Sequence, residues 1–217
     1  VGRVWTKEEL QKLGELCDRY HVFVVADEIH CDFAFPEHPH TIFAKACPRL
    51  EEKMILCTAP SKTFNLAGLQ ASNIIIADPV LRRKFVTELN AQGMFGAGLY
   101  GLTACQTAYE TGEEWLEQLL DYLEGNYQYI KTYLQEKLPK VRLTELQGTY
   151  LIWMDFRAYG YTDQELNRIM QKEAKLWLDD GPMFGQGGSG FMRLNLAAPK
   201  SLVEDAMERL YHAFGQL

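Results

Sequence analysis

The sequence lacks several features that would assign it to a particular class of protein. No apolar run approaches the roughly 20 residues that a membrane-spanning helix needs, so we expect no membrane span. Acidic residues outnumber basic ones, 29 Asp and Glu against 22 Lys and Arg, which gives a net charge of −7. This composition does not support a surface that binds nucleic acid or an anionic membrane.

Residues that form disulfides or bind metals are also sparse and poorly arranged for those roles. The five cysteines are odd in number, contain no C-x-x-C pair and mostly fall in apolar segments, which is typical of reduced core thiols in a cytoplasmic protein. They are Cys17, Cys31, Cys47, Cys57 and Cys105. The cluster of Glu37, His38 and His40 lies in a proline-rich loop and resembles a metal site only superficially, so we expect no metal.

Short apolar runs alternate with helical patterns along the first half of the chain. The runs at 22–26, 54–58 and 71–77 are rich in β-branched residues, and the first reads as a strand buried on both faces. A short apolar run can also be a segment of a buried helix. The alternation favours an α/β fold, with a mainly parallel sheet covered by helices.

Polar residues at capping spacings predict where several helices begin. The pairs are Thr6 with Glu9, Asp78 with Pro79, Thr162 with Glu165, and Ser201 with Glu204. A further helix is predicted near 103–110, and apolar residues every three or four positions predict a long helix over 113–138. Strands at 149–156 and 191–197 then alternate with helices, so we predict two units, 1–115 and 116–217, with a boundary within 111–125.

Three polar residues stand just after predicted strands. Asp27 directly follows the first strand and His30 lies one turn later, while Lys62 comes four residues after the strand that ends near Thr58. Ligands of open α/β sheets bind beyond the carboxyl ends of the strands, so these side chains can face one crevice. A lysine amine can form a Schiff base with an aldehyde cofactor, and a carboxylate can keep a pyridine nitrogen protonated.

Arg193 is a fourth candidate. In the segment FMRLNLA, strand alternation places it on one face with Phe191 and Asn195, just after a glycine-rich loop. Its guanidinium fork could bind a substrate carboxylate.

Each candidate taken alone has a commoner structural role. Lys62 could be a solvated lysine, and Asp27 could cap the end of a strand. His30 could be a hydrogen-bonded core histidine, and Arg193 could lie on an edge strand in water. The functional interpretation therefore depends on the set.

Three motifs together resemble a known family. ADEIHCDF, APSKTFNLAGLQ and GFMRLNLA occur in this order, and the lysine of the second lies 35 residues after Asp27. This set resembles the class I/II aminotransferase superfamily, pyridoxal 5'-phosphate (PLP) enzymes of fold type I, over essentially the whole chain. The D-E-I-H-x-D and S-K-T-F-N-L-A-G-L forms are most similar to the cystathionine beta-lyase, or C–S lyase, branch. The resemblance implies that 1–115 is the C-terminal part of the PLP-binding large domain and 116–217 the small C-terminal α/β domain.

The resemblance also implies a role for each candidate near the cofactor. Lys62 would hold PLP as a Schiff base and act as the catalytic base. Asp27 would pair with the pyridine nitrogen. His30 stands where many aminotransferases have a tyrosine near the 3-hydroxyl group of the cofactor.

The contacts to phosphate and carboxylate are implied in the same way. Ser61 and Thr58 would bind the cofactor phosphate, and Arg193 would bind the α-carboxylate of an amino-acid substrate. Many aminotransferases have a phosphate-binding arginine eight residues after the lysine, and this sequence has Gln70 there. Phosphate anchoring must therefore depend on other groups.

The implied activity is that of a PLP-dependent C–S β-lyase, which converts sulfur-containing amino acids into a thiol, pyruvate and ammonia. An aminotransferase uses the same residues and is the first alternative, and a regulatory role through binding a protein partner is the second. Family members continue upstream of the first residue and form homodimers. The resemblance therefore implies a C-terminal fragment with little or no turnover by itself, taken from an enzyme that is a homodimer at full length.

Overall fold

The computed structural model describes residues 1–215, which divide into two compact units. The N-terminal unit is Val4–Gln118, and the C-terminal unit combines Val1–Arg3 with the chain from Leu119 onward. This division falls inside the region 111–125, where the sequence predicts a boundary. The assignment of the two units to the large and small domains of an enzyme stays a prediction.

The N-terminal unit combines short strands with helices of one to four turns. Its helices are α1 (Lys7–Arg19), α2 (Phe43–Ala46), α3 (Pro60–Thr63), α4 (Pro79–Ala91) and α5 (Leu99–Thr111), and α6 (Glu113–Lys137) begins in it. Its strands are β1 (Val24–Asp27), β2 (Met54–Thr58) and β3 (Asn73–Ile75). Turns of 3-10 helix lie at Cys31–Phe33, Pro48–Lys53 and Ala67–Leu69.

The three strands form one sheet in the order β1-β2-β3. β1 and β2 are parallel, with Val24 opposite Met54 and Asp27 opposite Cys57. β3 is antiparallel to β2 and shorter than the predicted run of 71–77. The parallel pair is the part of the sheet that positions the candidate site, because it sends two chain segments out at the same edge.

β1 is covered by the core on one face only. Val24 and Ala26 pack against a buried cluster from α1, α2 and the segment leading to β2. The cluster consists of Leu10, Phe43, Ala46, Cys47, Leu50 and Met54. Val25, on the opposite face, is 61% exposed, so the predicted burial of this strand on both faces is wrong for the described part of the chain. The alternation of side chains in a strand explains the difference, since each face needs its own covering element.

The predicted caps of the N-terminal unit are confirmed. Thr6 accepts a hydrogen bond from the backbone N–H of Glu9, whose carboxylate accepts from the N–H of Thr6, and α1 follows directly. Asp78 caps α4 by accepting from the N–H of Leu81. Helix α5 begins at Leu99, earlier than the predicted start at 103.

The C-terminal unit contains most of α6 and an antiparallel sheet of order β4-β5-β7-β6. The strands are β4 (Arg142–Leu143), β5 (Leu151–Asp155), β6 (Asp179–Asp180) and β7 (Phe191–Asn195). The helices after α6 are α7 (Asp163–Arg168), which continues into a π-helical turn at Ile169–Glu173, and α8 (Lys200–Phe214). Turns of 3-10 helix lie at Arg157–Tyr159, Gly181–Phe184 and Gln186–Gly188.

The long helix α6 contributes an apolar stripe to the core of this unit, as the sequence predicts. Leu123, Tyr127, Ile130 and Leu134 are all buried. The buried Asn126 lies among them because its amide donates to the backbone carbonyls of residues 196 and 198 (3.0 Å each), which ties α6 to the chain after β7.

The two helix starts predicted in this unit have different outcomes. The capping box of Thr162 and Glu165 is present at the start of α7. The pair Ser201 and Glu204 does not start α8, because the helix already begins at Lys200 and Pro199 occupies the N-cap position.

None of the helices in residues 1–215 is both long and apolar enough to cross a membrane.

Candidate active site

The parallel pairing of β1 and β2 brings two candidate segments to the same edge of the sheet. Asp27 is the last residue of β1 and lies opposite Cys57, near the end of β2. The chain leaves β2 at Thr58 and enters α3, which carries Lys62. The N–H of Glu28 donates to the carbonyl of Cys57 at 2.9 Å, so the two segments stay hydrogen-bonded one residue beyond β1.

Lys62 lies in α3, which is a single helical turn, with its side chain exposed. Its neighbours in this short helix are the half-buried Ser61 and the fully buried Thr63, whose exposed fraction is 0%. The exposure of Lys62 agrees with the alternative interpretation of a solvated lysine, and it is also what a lysine that reaches a ligand requires. The single turn of α3 therefore carries an exposed amine on Lys62 directly beside the fully buried side chain of Thr63.

Asp27 has the structural role that its alternative interpretation describes. Its carboxylate oxygen Oδ1 accepts from the N–H of Ile29 at 3.3 Å, which turns the chain after β1. The side chain is otherwise exposed at the sheet edge. A single backbone bond leaves carboxylate lone pairs for a ligand, because an ionised carboxylate has about four acceptor positions.

His30 and Thr58 complete the polar groups predicted at this edge. His30 is half-buried, and its ring centroid lies 6.0 Å from that of Phe33. Thr58 Oγ1 accepts from Asn73 Nδ2 at 3.3 Å, across the β2–β3 pair. Because a threonine hydroxyl that accepts one hydrogen bond still has its own O–H to donate, Thr58 can donate a hydrogen bond to an anionic ligand. Gln70, at the position of the family arginine, is exposed in a left-handed conformation with φ of 51°.

Glu28 is a buried acid that the sequence analysis missed. It is 9% exposed, and its carboxylate accepts from the backbone N–H of Phe43 at 2.8 Å. Its other oxygen lies 2.7 Å from His40 Nε2. Glu28 thus fastens the turn after β1 to the start of α2. The only sequence signal was its position directly after a predicted strand and beside Asp27.

Asp32 and Thr63 form a second connection that the sequence did not reveal. The hydroxyl of Thr63 donates to Asp32 Oδ2 at 2.7 Å, and the thiol of Cys31 lies 3.5 Å from the other oxygen. Burial and then the negative charge of Asp32 raise the pKa of Cys31 to about 12. The same two causes raise the pKa of Tyr109, on α5, to about 12.

Arg193 lies in the C-terminal unit on β7, which is flanked by β5 and β6. It is therefore not on an edge strand. Its Nε and Nη2 lie 3.0 Å and 2.8 Å from Asp179 Oδ2, and its guanidinium carbon lies 4.3 Å from the ring centroid of Phe184. The predicted sharing of faces is confirmed, since Met192 and Leu194 are buried while Arg193 is only half-buried. Asp179 holds the guanidinium in a defined orientation within this unit.

Within residues 1–215, no group of three or more His, Cys, Asp or Glu side chains is close enough to bind a metal ion. His40, from the loop with clustered histidines, contacts Glu28 instead. The chemistry available at the sheet edge is that of an amine, carboxylates, an imidazole and hydroxyls.

Comparison with known proteins identifies the family. The family model for aminotransferase class I and II matches residues 1–210. The chain is 44% identical over 209 residues to cystathionine beta-lyase PatB of Bacillus subtilis, covering 96% of this chain and 54% of that protein. It is 32% identical over 214 residues to protein MalY of Escherichia coli, covering 98% of this chain and 54% of that protein.

A solved structure matches a comparable share of this chain. Cystalysin from Treponema denticola, whose crystal structure contains a pyridoxal 5'-phosphate cofactor, has a TM-score of 0.93 and 37% identity, covering 98% of this chain and 54% of that one. The chain thus spans about half the length of the relatives it matches. The predicted α/β fold of type I is confirmed by this likeness. With the family model matched over nearly all its residues, the chain belongs to the aminotransferase class I and II family.

Proposed function

We propose that the protein containing this chain is a PLP-dependent carbon–sulfur β-lyase that acts on sulfur-containing amino acids. The observation that carries the proposal is the 44% identity to a cystathionine beta-lyase over almost the whole chain. The similarity to cystalysin, a protein with bound PLP, supports the cofactor.

The residues at the sheet edge fit this cofactor. An exposed lysine amine can form a Schiff base with an aldehyde, and an exposed carboxylate can accept a hydrogen bond from a protonated ring nitrogen. Lys62 and Asp27 supply these two groups from segments that leave the same edge of the parallel pair. We assign them as the covalent anchor and the partner of the ring nitrogen. His30 is assigned to the ring's hydroxyl side, and Ser61 and Thr58 to the phosphate.

When bound, PLP supplies an electron sink for the charge that develops at the substrate Cα. Lys62 would act as the base that removes the Cα proton of the substrate. The carboxylate of Asp27 would accept a hydrogen bond from the ring nitrogen and so keep it protonated. Arg193 is assigned to the substrate carboxylate, which would replace Asp179 Oδ2 as the partner of its guanidinium and could bind it through two oxygens.

The experiment is to supply cystathionine to the PLP-loaded protein and measure free thiol and pyruvate together. The lyase proposal predicts both products in equal amounts, and their loss in a Lys62→Ala variant. A keto acid that retains the sulfur atom, without free thiol, would instead show the aminotransferase. That second candidate is favoured by the family itself, because transamination uses the same lysine and carboxylate.

We further propose that the protein is a homodimer in the cytoplasm. Large apolar side chains are exposed where α5 begins, and we assign them to contact with a second copy of the chain. They are Phe95, Leu99 and Tyr100, which are 85%, 75% and 81% exposed. All five cysteines are free thiols, which supports a reducing compartment. Sedimentation of the protein beside a Phe95→Ser/Tyr100→Ser variant tests the dimer, which the variant should weaken.

A further inference from the structure

Two chain segments that carry candidate residues are joined by one side-chain hydrogen bond. The first segment begins at Asp27, the last residue of β1, and continues through His30, and the second follows β2 and carries Lys62. The hydroxyl of Thr63 donates to Asp32 Oδ2 at 2.7 Å, a contact between residues 31 positions apart. This bond lies beyond the ends of both strands, where the backbone pairing of the sheet has stopped.

Thr63 is well placed to control the position of its neighbour. Its side chain is 0% exposed, whereas the side chain of Lys62 is exposed. The two residues share the single turn of α3, which is closed by the N–H of Phe64 donating to the carbonyl of Pro60 at 2.9 Å. A shift of Thr63 must therefore move the backbone that carries Lys62.

Asp32 is itself fixed and charged. It lies in a 3-10 turn whose last residue, Phe33, is 1% exposed and anchors the turn in the core. In the described part of the chain its carboxylate takes side-chain hydrogen bonds from Thr63 and from the weaker thiol donor Cys31. A hydrogen bond to an ionised group is roughly twice as strong as one between neutral groups. The hydroxyl of Thr63 is thus the main donor to this half-buried carboxylate.

We propose that Asp32 is a positioning residue that acts through Thr63 to hold Lys62 ready for covalent attachment of its ligand. The proposal rests on the proposed function, because it takes Lys62 as the anchor of PLP. Asp32 touches neither ligand nor reacting atoms in this role. It locks the Lys62 segment to the segment of Asp27 and His30, so that the amine and the carboxylate keep a constant separation.

The test compares Thr63→Val, which keeps the shape and removes the hydroxyl, with Thr63→Ser, which keeps the hydroxyl. Two quantities are measured on the protein containing this chain. One is amide hydrogen exchange over residues 60–66 without cofactor, and the other is the affinity for PLP from the visible absorbance of the lysine-bound cofactor. We expect Thr63→Val to exchange about tenfold faster and to bind PLP about tenfold more weakly, the factor that corresponds to losing one charge-assisted hydrogen bond. Thr63→Ser should stay close to the wild-type protein in both.

Two further variants separate positioning from general destabilisation. Thr6→Ala removes the cap of α1, far along the chain from Lys62, and should lower stability without changing exchange over 60–66 or PLP affinity. Asp32→Ala removes the acceptor of the Thr63 hydroxyl and should resemble Thr63→Val, and the double variant should be no worse than either single one, because both remove the same bond.

The outcomes distinguish the two proposals. If Thr63→Val leaves both quantities unchanged, or if Thr6→Ala changes them equally, the positioning role is refuted while the lyase proposal stands. If the wild-type protein captures no PLP on Lys62, the proposed function fails. The exchange measurement without cofactor then still decides whether the Asp32–Thr63 bond fixes the segment.

Discussion

Removing the carboxylate of Glu28 should loosen the start of α2 and the turn that carries the candidate site. Helix α2 begins after Ile42, whose side chain cannot cap it, and the N–H of Phe43 is satisfied by Glu28 from 15 residues away. Phe43 is only 5% exposed, so water cannot easily replace the lost acceptor in a Glu28→Ala variant. The second partner, His40, has a side chain that is 28% exposed and can turn to water.

The size of the effect follows from the Phe43 bond. An unsatisfied buried donor costs roughly 1–3 kcal/mol, and we expect Glu28→Ala to lower the free energy of unfolding by about 2 kcal/mol. Since 1.4 kcal/mol corresponds to a factor of ten, the amide of Phe43 should exchange with solvent about 30-fold faster. His40→Ala should cost less than half as much, because its partner keeps the bond from Phe43.

The assay is amide hydrogen exchange over residues 40–47, followed by urea unfolding of the same variants. Glu37→Ala is the matched control, since Glu37 is an exposed acid in the same loop. A change in Glu28→Ala no larger than in Glu37→Ala would refute the view that Glu28 caps α2. Equal losses of stability in His40→Ala and Glu28→Ala would place the stabilisation in the His40–Glu28 contact rather than in the bond from Phe43, which would contradict the prediction.

Three further effects follow from the structure. Hydrogen bonds from Arg157 lower the pKa of Asp155 in the folded chain. The ionised Asp155 therefore stabilises the fold above its unfolded pKa of about 3.9, and this stabilisation is lost as the pH falls through the lower pKa of the folded state. Acidification from about pH 5 to about pH 3 should then destabilise the wild-type chain more than Asp155→Asn in urea unfolding; equal losses would contradict this. Burial, with the charge of Asp32, keeps Cys31 protonated near neutral pH, so at about pH 8 iodoacetamide should modify it more slowly in the folded chain than in urea. A Cβ at residue 112 would lie 2.5 Å from Phe64 Cε1, so Gly112→Ala should cost roughly 1–3 kcal/mol, whereas Gly125→Ala, with open space around it, should stabilise α6 by up to about 1 kcal/mol.

Features that depend on near neighbours in sequence could be predicted well. The capping boxes at Thr6 and Thr162 formed as expected, because the cap and its partner lie only three residues apart. The pair at Ser201 failed because Lys200 already continued the helix from Pro199. Local spacing alone cannot decide between two adjacent starting points.

Features that depend on distant contacts could not be predicted. The exposure of Val25 depends on which element covers each face of β1, and that information is not in the strand itself. The bonds of Glu28 to Phe43 and of Thr63 to Asp32 join residues 15 and 31 positions apart. The candidate site was found through the order of three motifs, and its supporting contacts became visible only when the fold brought them together.

The assignment of Lys62 as the covalent anchor is the central claim, and one measurement tests it directly. The protein is mixed with PLP, the adduct is reduced with borohydride, and peptide mass mapping locates the label. Lys62→Ala is compared with Lys53→Ala, a control lysine at the other end of β2 that pairs with Asp18. The account predicts that the label lies on Lys62, is lost in Lys62→Ala and is unchanged in Lys53→Ala. Labelling spread over other lysines, or equal labelling in the wild-type protein and Lys62→Ala, would contradict it.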